Sequence, residues 1–117
     1  TIEFYGYRQR DELGDLYTDA KALLFPGIED FGIAPLESMA CGTPVIAYRA
    51  GGPLETIIEG KTGTFFDEQT SQSLIDVLEK FDANNFNADA CKHRAQEFSR
   101  DRFESHIRDA VATLSQQ

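Results

Sequence analysis

Residues 44–48, Pro-Val-Ile-Ala-Tyr, form a near-continuous apolar run. A run of that kind suits a strand covered on both faces, as strands of parallel sheets are. Other short strand-like runs accompany it. Lys-Ala-Leu-Leu-Phe at 21–25 is stopped by Pro26-Gly27, and Thr-Phe-Phe at 64–66 follows a turn at Gly60 to Gly63. Ile-Glu-Phe-Tyr at 2–5 reads as a further strand, ended by Gly6. Between these runs the period becomes helical. Leu13, Leu16, Tyr17 and Ala20 recur at i, i+3, i+4 and i+7 within residues 8–20. A second helix is expected from Pro35, a residue suited to the first helical position, to a stop at Gly42. A short helix is expected at about 54–59, after Gly51-Gly52-Pro53. Beyond the last strand only helices follow. Residues 70–81 place Leu74, Val77, Leu78 and Phe81 on one side. Asp82 to Asn87 is a polar break, and 88–99 aligns Ala88, Cys91, Ala95 and Phe98. A last helix starts near Asp101 with a capping-box-like pairing to Glu104. Strands alternating with helices predict an α/β fold with a parallel sheet.

The 117 residues suffice for one compact unit. The formal net charge of −9, with no cluster of Lys or Arg, disfavours nucleic acid, which demands a basic face, and also an anionic membrane surface. Cys41 and Cys91 show no metal-ligand spacing and no CxxC. They read as reduced thiols of a cytoplasmic protein. No apolar run approaches the roughly 20 residues that span a bilayer. No metal or other cofactor is expected. The chain opens at Thr1 directly in a strand-like run, which points to a piece of a longer protein.

Ligands of parallel α/β sheets bind outside the carboxyl ends of the strands. The loop after 21–25 and the glycine pair after 44–48 both lie there. In that loop Gly32 allows close backbone approach to a ligand. The N–H groups of Ile33, Ala34, Leu36 and Glu37 are expected in or near the first helical turn, where amides without helical partners can face an anion such as a diphosphate. Glu37, expected at about the third helical position, complements the helix dipole. It can also accept from two adjacent hydroxyls, as a ribose diol presents them. Glu29, with seven residues between it and Glu37, is either a solvated loop acid or a group set over the reacting end of a ligand. His93, His106 and the acidic run Asp11-Glu12 with Asp15 read as surface or packing residues.

Glu29 to Glu37, E-D-F-G-I-A-P-L-E, resembles the E-x7-E motif of retaining glycosyltransferases of the GT-B fold, family 4. Ser38-Met39-Ala40-Cys41-Gly42-Thr43-Pro44-Val45-Ile46-Ala47 resembles the family's "E-A-M-A-x-G-x-P-V-I-A" run, with Ser38 in place of the common Ala. Gly51-Gly52-Pro53-Leu54-Glu55 resembles its G-G-x-x-E turn. Thr62-Gly63 with Phe65-Phe66-Asp67 resembles the strand after it. The resemblance runs from about Ile2 to Phe103.

The resemblance implies a Rossmann-like parallel sheet with helices on both faces, the incomplete carboxyl-terminal half of a GT-B enzyme. Residues 1–117 would be part of the nucleotide-sugar-binding domain, with helices at about 88–114 as its tail. Glu37 would hold the ribose hydroxyls, and Glu29 would sit catalytically beside the transferred sugar. Backbone around Phe31, Gly32 and Ile33, with Ala34 adjoining, would hold sugar hydroxyls and the β-phosphate, and Gly51 and Gly52 would line the cleft. The implied donor is a UDP- or GDP-hexose, with mannose or glucose as the sugar. The acceptor, a sugar, lipid or protein, would be held by a missing amino-terminal domain, in a parent enzyme lying at the cytoplasmic membrane face. The isolated chain is expected to transfer no sugar, and its uncovered surfaces invite self-association. The alternative from another class is a non-catalytic nucleotide- or carbohydrate-binding module on the same fold.

Overall fold

The computed structural model describes residues 10–28 and 33–98. The elements run α1 (Arg10–Asp19), β1 (Leu23–Phe25), α2 (Ile33–Ala40), β2 (Val45–Tyr48), α3 (Pro53–Thr56), β3 (Gly63–Phe66), α4 (Ser71–Lys80), a 3-10 turn (Ala83–Asn85) and α5 (Ala88–Glu97). The strand expected at 2–5 and the helix expected from Asp101 lie outside the described residues.

The three described strands form a parallel sheet in the order β1-β2-β3. Leu23 pairs with Val45 and Val45 with Gly63, so the register runs straight across. Alternation along each strand sorts side chains onto two faces. Val45, Ala47 and Phe65 point to one of them. There they join Met39 of α2, Ile57 and Cys91 of α5 in the buried core, flanked by Leu23, Phe25, Leu36 and Ala95. Thr64 and Phe66 point to the other face, under Leu74, Val77 and Phe81 on the α4 side. Helices therefore cover both faces, and β2 between them is buried from Val45 to Ala47, as its apolar run predicts.

Several boundaries differ from the sequence expectation. The helix expected from Pro35 starts at Ile33, which puts Pro35 third. Proline is tolerated there because amides of the first turn have no intrahelical acceptor. The expected helix at 54–59 is only one turn, Pro53–Thr56, because Ile57 is extended at φ −88°, ψ 131°. Leu78, expected on the packed side of α4, is 40% exposed, and no α4 side chain is fully buried. Ala20, expected on the apolar face of α1, is also exposed. The polar break after α4 is ordered. Asp82 caps the 3-10 turn by accepting from the Asn84 amide at 2.9 Å, and Phe81 stacks on Phe86 at 5.3 Å.

Candidate functional site

The carboxyl ends of the strands carry the connections that lead into α2, α3 and α4. The first begins at Pro26, whose carbonyl accepts from Gln69 Nε2 at 3.3 Å. That bond ties the loop before α2 to the β3–α4 connection. A hollow of about 260 Å³ beside it is lined by Pro26, Phe66, Gln69, Thr70, Ser71 and Leu74. Glu29, Phe31 and Gly32 lie outside the described residues. Ile33 opens α2 and is exposed, and Ala34 follows half-buried.

The early start of α2 changes which amides can face a ligand. Glu37 is the fifth residue of the helix rather than about the third. Its own N–H therefore pairs back to the carbonyl four residues earlier, and Pro35 has none. Ile33 and Ala34 remain as the described first-turn donors. Glu37 contributes its side chain alone, from the second turn.

That side chain points towards α1. Glu37 and Tyr17 line a cavity of about 230 Å³ between α1 and α2, together with Leu13, Gly14, Ala40 and Cys41. Burial first, then the charge of Glu37, and least Cys41, push the Tyr17 phenol above the ordinary tyrosine value. A negative neighbour and a drier setting both oppose phenolate formation.

The end of α2 fixes this arrangement. The helix closes with the Gly42 amide bonded to Met39 O at 2.9 Å and the Thr43 amide to Ser38 O at 3.0 Å. This is the paired bonding of a Schellman stop, and Gly42 supplies its left-handed residue at φ 86°. The buried Ser38 hydroxyl donates to Thr43 O at 3.0 Å. The buried Thr43 hydroxyl in turn donates to the main-chain carbonyl of Tyr17. Thus the turn after Gly42 is stitched to α1 at the residue that meets Glu37.

Gly51 and Gly52 lead into α3, which packs beside α2. Gly51 is exposed at φ 68°, a conformation that suits glycine, and Gly52 is buried. The other end of α3 is capped from a distance. Arg94 on α5 donates through Nε to Thr56 O at 2.8 Å and through Nη2 to Glu55 O at 2.7 Å. A larger hollow of about 380 Å³, lined in part by Gly60, Thr64, Val77 and Phe86, lies on the α4 side and contains none of the expected site residues. The chemistry-bearing groups lie elsewhere, so volume is a poor guide here.

Sequence reasoning passed over Tyr17, Thr43, Gln69 and Arg94. Tyr17 did carry a signal. A tyrosine on a packed helical face turns its polar end to whatever the neighbouring helix presents, and here Tyr17 and Glu37 line one cavity. Arg94 lies between Cys91 and Ala95 on the packed side of α5, where a guanidinium needs acceptors.

A family model described as glycosyl transferases group 1 matches residues 1–98. The chain belongs to this family. Alpha-1,3/1,6-mannosyltransferase ALG2 of Dictyostelium discoideum is 63% identical over 38 residues, which is 32% of this chain and 9% of that protein. Sucrose-phosphate synthase from Thermosynechococcus elongatus superposes with a TM-score of 0.84 at 27% identity, covering 96% of this chain and 30% of the synthase. Anabaena HepE in complex with UDP-glucose gives a TM-score of 0.62 at 27% identity, covering 87% of this chain and 29% of HepE. The chain thus spans less than a third of each of these proteins. The three-stranded parallel sheet with helices is the architecture expected, and the structural neighbours of this group 1 chain are GT-B glycosyltransferases. No helix among the described residues is long and apolar enough to cross a membrane.

Proposed function

We propose that this chain is the donor-binding part of an enzyme that moves a hexose from a nucleoside diphosphate sugar to an acceptor, with retention of configuration. The observation that carries the reading is Glu37. It stands on the second turn of α2, one turn on from the amide-bearing start of that helix at the carboxyl edge of the sheet, and it lines the cavity that Ala40 and Cys41, later in α2, share with α1. One end of that helix offers donors suited to a diphosphate, and one turn on a carboxylate offers acceptors suited to a diol.

In this reading Glu37 grips the ribose hydroxyls. The amides of Ile33 and Ala34, with those of Phe31 and Gly32, take the β-phosphate and hydroxyls of the sugar. Glu29 stands beside the transferred sugar, and Gly51 and Gly52 line the cleft. The departing nucleoside diphosphate gains negative charge as the glycosidic bond breaks. Amides already aimed at it stabilise the transition state more than the ground state. No metal enters this scheme.

The named relatives bear on the donor. HepE was solved with UDP-glucose, and the Dictyostelium relative is a mannosyltransferase. The first supports a UDP-hexose and the second a mannosyl group; a GDP carrier is the other donor this reading admits. The acceptor side, and the second domain that a GT-B enzyme closes over its donor, would come from outside this chain. The free thiols Cys41 and Cys91 are in keeping with a cytoplasmic setting.

The experiment is a titration of isotope-labelled chain with UDP, GDP, ADP and their sugar derivatives, read from backbone amide shifts. Saturable shifts centred on residues 32–37, lost in Glu37→Ala, are expected. Binding that Glu37→Ala leaves intact, or none at millimolar ligand, would overturn the assignment. Sugar transfer by the purified chain, abolished in Glu29→Ala, would overturn the division of labour between domains.

A further inference from the structure

We infer that Arg49 is a positioning residue for the glycine pair: it clasps the neck of the connection that carries Gly51 and Gly52, and so sets how tightly that connection meets a nucleoside diphosphate sugar. The inference rests on the cleft-lining role of the pair proposed above and adds the side chain that holds the pair in place.

Arg49 is the first residue after β2. Its amide donates to Phe66 O at 3.0 Å, and the chain then leaves the sheet as the Ala50 amide turns back to Tyr48 O at 2.8 Å. Gly51 and Gly52 follow, then the single turn of α3. Glu59 comes after it, ten residues on from Arg49, and there the two side chains meet. Arg49 Nη2 donates to Glu59 Oε2 at 3.0 Å. Arg49 Nε donates to Asp67 Oδ1 at 2.5 Å, one residue past the end of β3. The guanidinium carbon stands 4.9 Å from the centroid of the Phe65 ring, which belongs to the buried core. One planar group thus joins the end of β2, the chain after α3 and the chain after β3. The far end of α3 is held separately, by Arg94 on the carbonyls of Glu55 and Thr56.

A glycine pair needs such restraint. Without Cβ atoms the two residues have wide conformational freedom, which must be lost when they settle on a ligand. Closing the connection at its neck removes part of that freedom beforehand. A guanidinium suits the task, because its rigid fork serves two carboxylates at once while its face lies on an aromatic ring. The side chains of Arg49, Glu59 and Asp67 are 41%, 50% and 70% exposed. Ion pairs so placed contribute little to global stability. The network is therefore poorly placed to hold up the fold and well placed to fix one connection.

The test titrates labelled chain with UDP-glucose and GDP-mannose, for wild type, Arg49→Met, Glu59→Gln and the double variant. Methionine keeps an apolar stem over Phe65 and removes the fork. Without the clasp the pair spends less time in its binding arrangement, and apparent affinity falls by that fraction. Arg49→Met is expected to weaken binding about threefold to tenfold and to diminish the ligand-induced shifts of the Gly51 and Gly52 amides. Glu59→Gln should weaken binding in the same direction. The double variant should be no weaker than Arg49→Met, since both changes break one link. Thermal melting should change little in any of them.

Glu59→Gln separates positioning from plain attraction. It makes the chain less negative, so an Arg49 that only draws in an anionic ligand predicts tighter binding in this variant. Tighter binding there, or an Arg49→Met chain that binds as wild type, overturns the inference and leaves the donor reading standing. So does a wild type whose shifts at saturation spare Gly51 and Gly52. A wild type that binds neither sugar nucleotide removes the donor reading and this inference with it.

Discussion

Arg94 on α5 reaches back 38 residues to Thr56, donating from Nε to its main-chain oxygen at 2.8 Å, and the same guanidinium covers Glu55 O at 2.7 Å. These are carbonyls at the end of α3, a helix of one turn whose last acceptors have no partners of its own. The charge also suits the negative end of the helix dipole. Glu97 holds the guanidinium from behind at 2.7 Å, and it lies over the Phe98 ring at 4.8 Å. Arg94→Ala should lower stability by about 1.5–3 kcal/mol, the range for hydrogen bonds to a charged group. Arg94→Lys should recover less than half, because an ammonium cannot present the two-pronged fork. Urea unfolding of the three chains measures both numbers.

Gly63 has no room for a side chain. A Cβ there would lie 2.2 Å from Val45 O, the carbonyl of the paired strand, and 2.9 Å from Ile57 Cγ2. Backbone cannot yield as a side-chain end can. Gly63→Ala should therefore destabilise by about 3 kcal/mol, at the upper end of overpacking costs. Thermal melting against wild type is the measurement. A loss under about 0.5 kcal/mol, typical of neutral surface changes, would show that β3 shifts freely.

Gly14 should behave in the opposite way. It sits inside α1, where glycine is about 1 kcal/mol less favourable than alanine, and a Cβ meets nothing within 4 Å. Gly14→Ala is expected to raise stability by about 0.5–1 kcal/mol. If the variant is more stable yet binds nucleotide more weakly, the absent side chain serves the cavity beside Glu37 rather than the helix.

How far the sequence alone reaches can be judged residue by residue. Val45 to Ala47 declared a doubly covered strand because burial on both faces demands an apolar residue at every position. Gly42 declared the end of α2 because few other residues accept φ 86°. The start of α2 was placed two residues late. Pro35 is permitted anywhere in the first turn, so it marks a neighbourhood and not a position. The displacement matters, since it moves Glu37 from the first turn to the second. Tyr17, Thr43 and Arg94 stayed hidden for a different reason. Each meets a group far away in sequence, and no local period encodes such a contact. Ser38 was noticed only as a departure from the family's alanine, and its bond to Thr43 O gives that departure a physical purpose.

Cys91 offers an alkaline test of the core. The thiol is fully buried, and burial pushes its pKa above the ordinary thiol value. Below that ordinary value, about 8.5, it is protonated in both states and its contribution to stability is whole. As pH rises further the unfolded chain loses the proton first, so stability falls until the folded pKa is passed. The urea midpoint of wild type should therefore drop more steeply than that of Cys91→Ala between about pH 8.5 and 10. Parallel slopes would mean that the thiol is reached by water. In the native chain half-buried Cys41 should be alkylated before Cys91.

Tyr17 gives the most direct view of the candidate site without any ligand. Its phenol is raised by burial and by the Glu37 carboxylate, so wild-type Tyr17 should ionise above the ordinary tyrosine value of about 10. Replacing the carboxylate by an amide removes the charge but leaves the burial. In Glu37→Gln the Tyr17 titration should therefore move down part of the way and stop above the ordinary value. Ring-carbon labelling at Cζ follows it, with Tyr17→Phe identifying the signal. The sign for stability follows. The folded pKa is raised, so the interaction is intact below about pH 10 and lost as pH climbs through the folded value. A Tyr17 signal that titrates identically in wild type and Glu37→Gln would place the carboxylate away from the phenol, and burial alone would then account for the raised value.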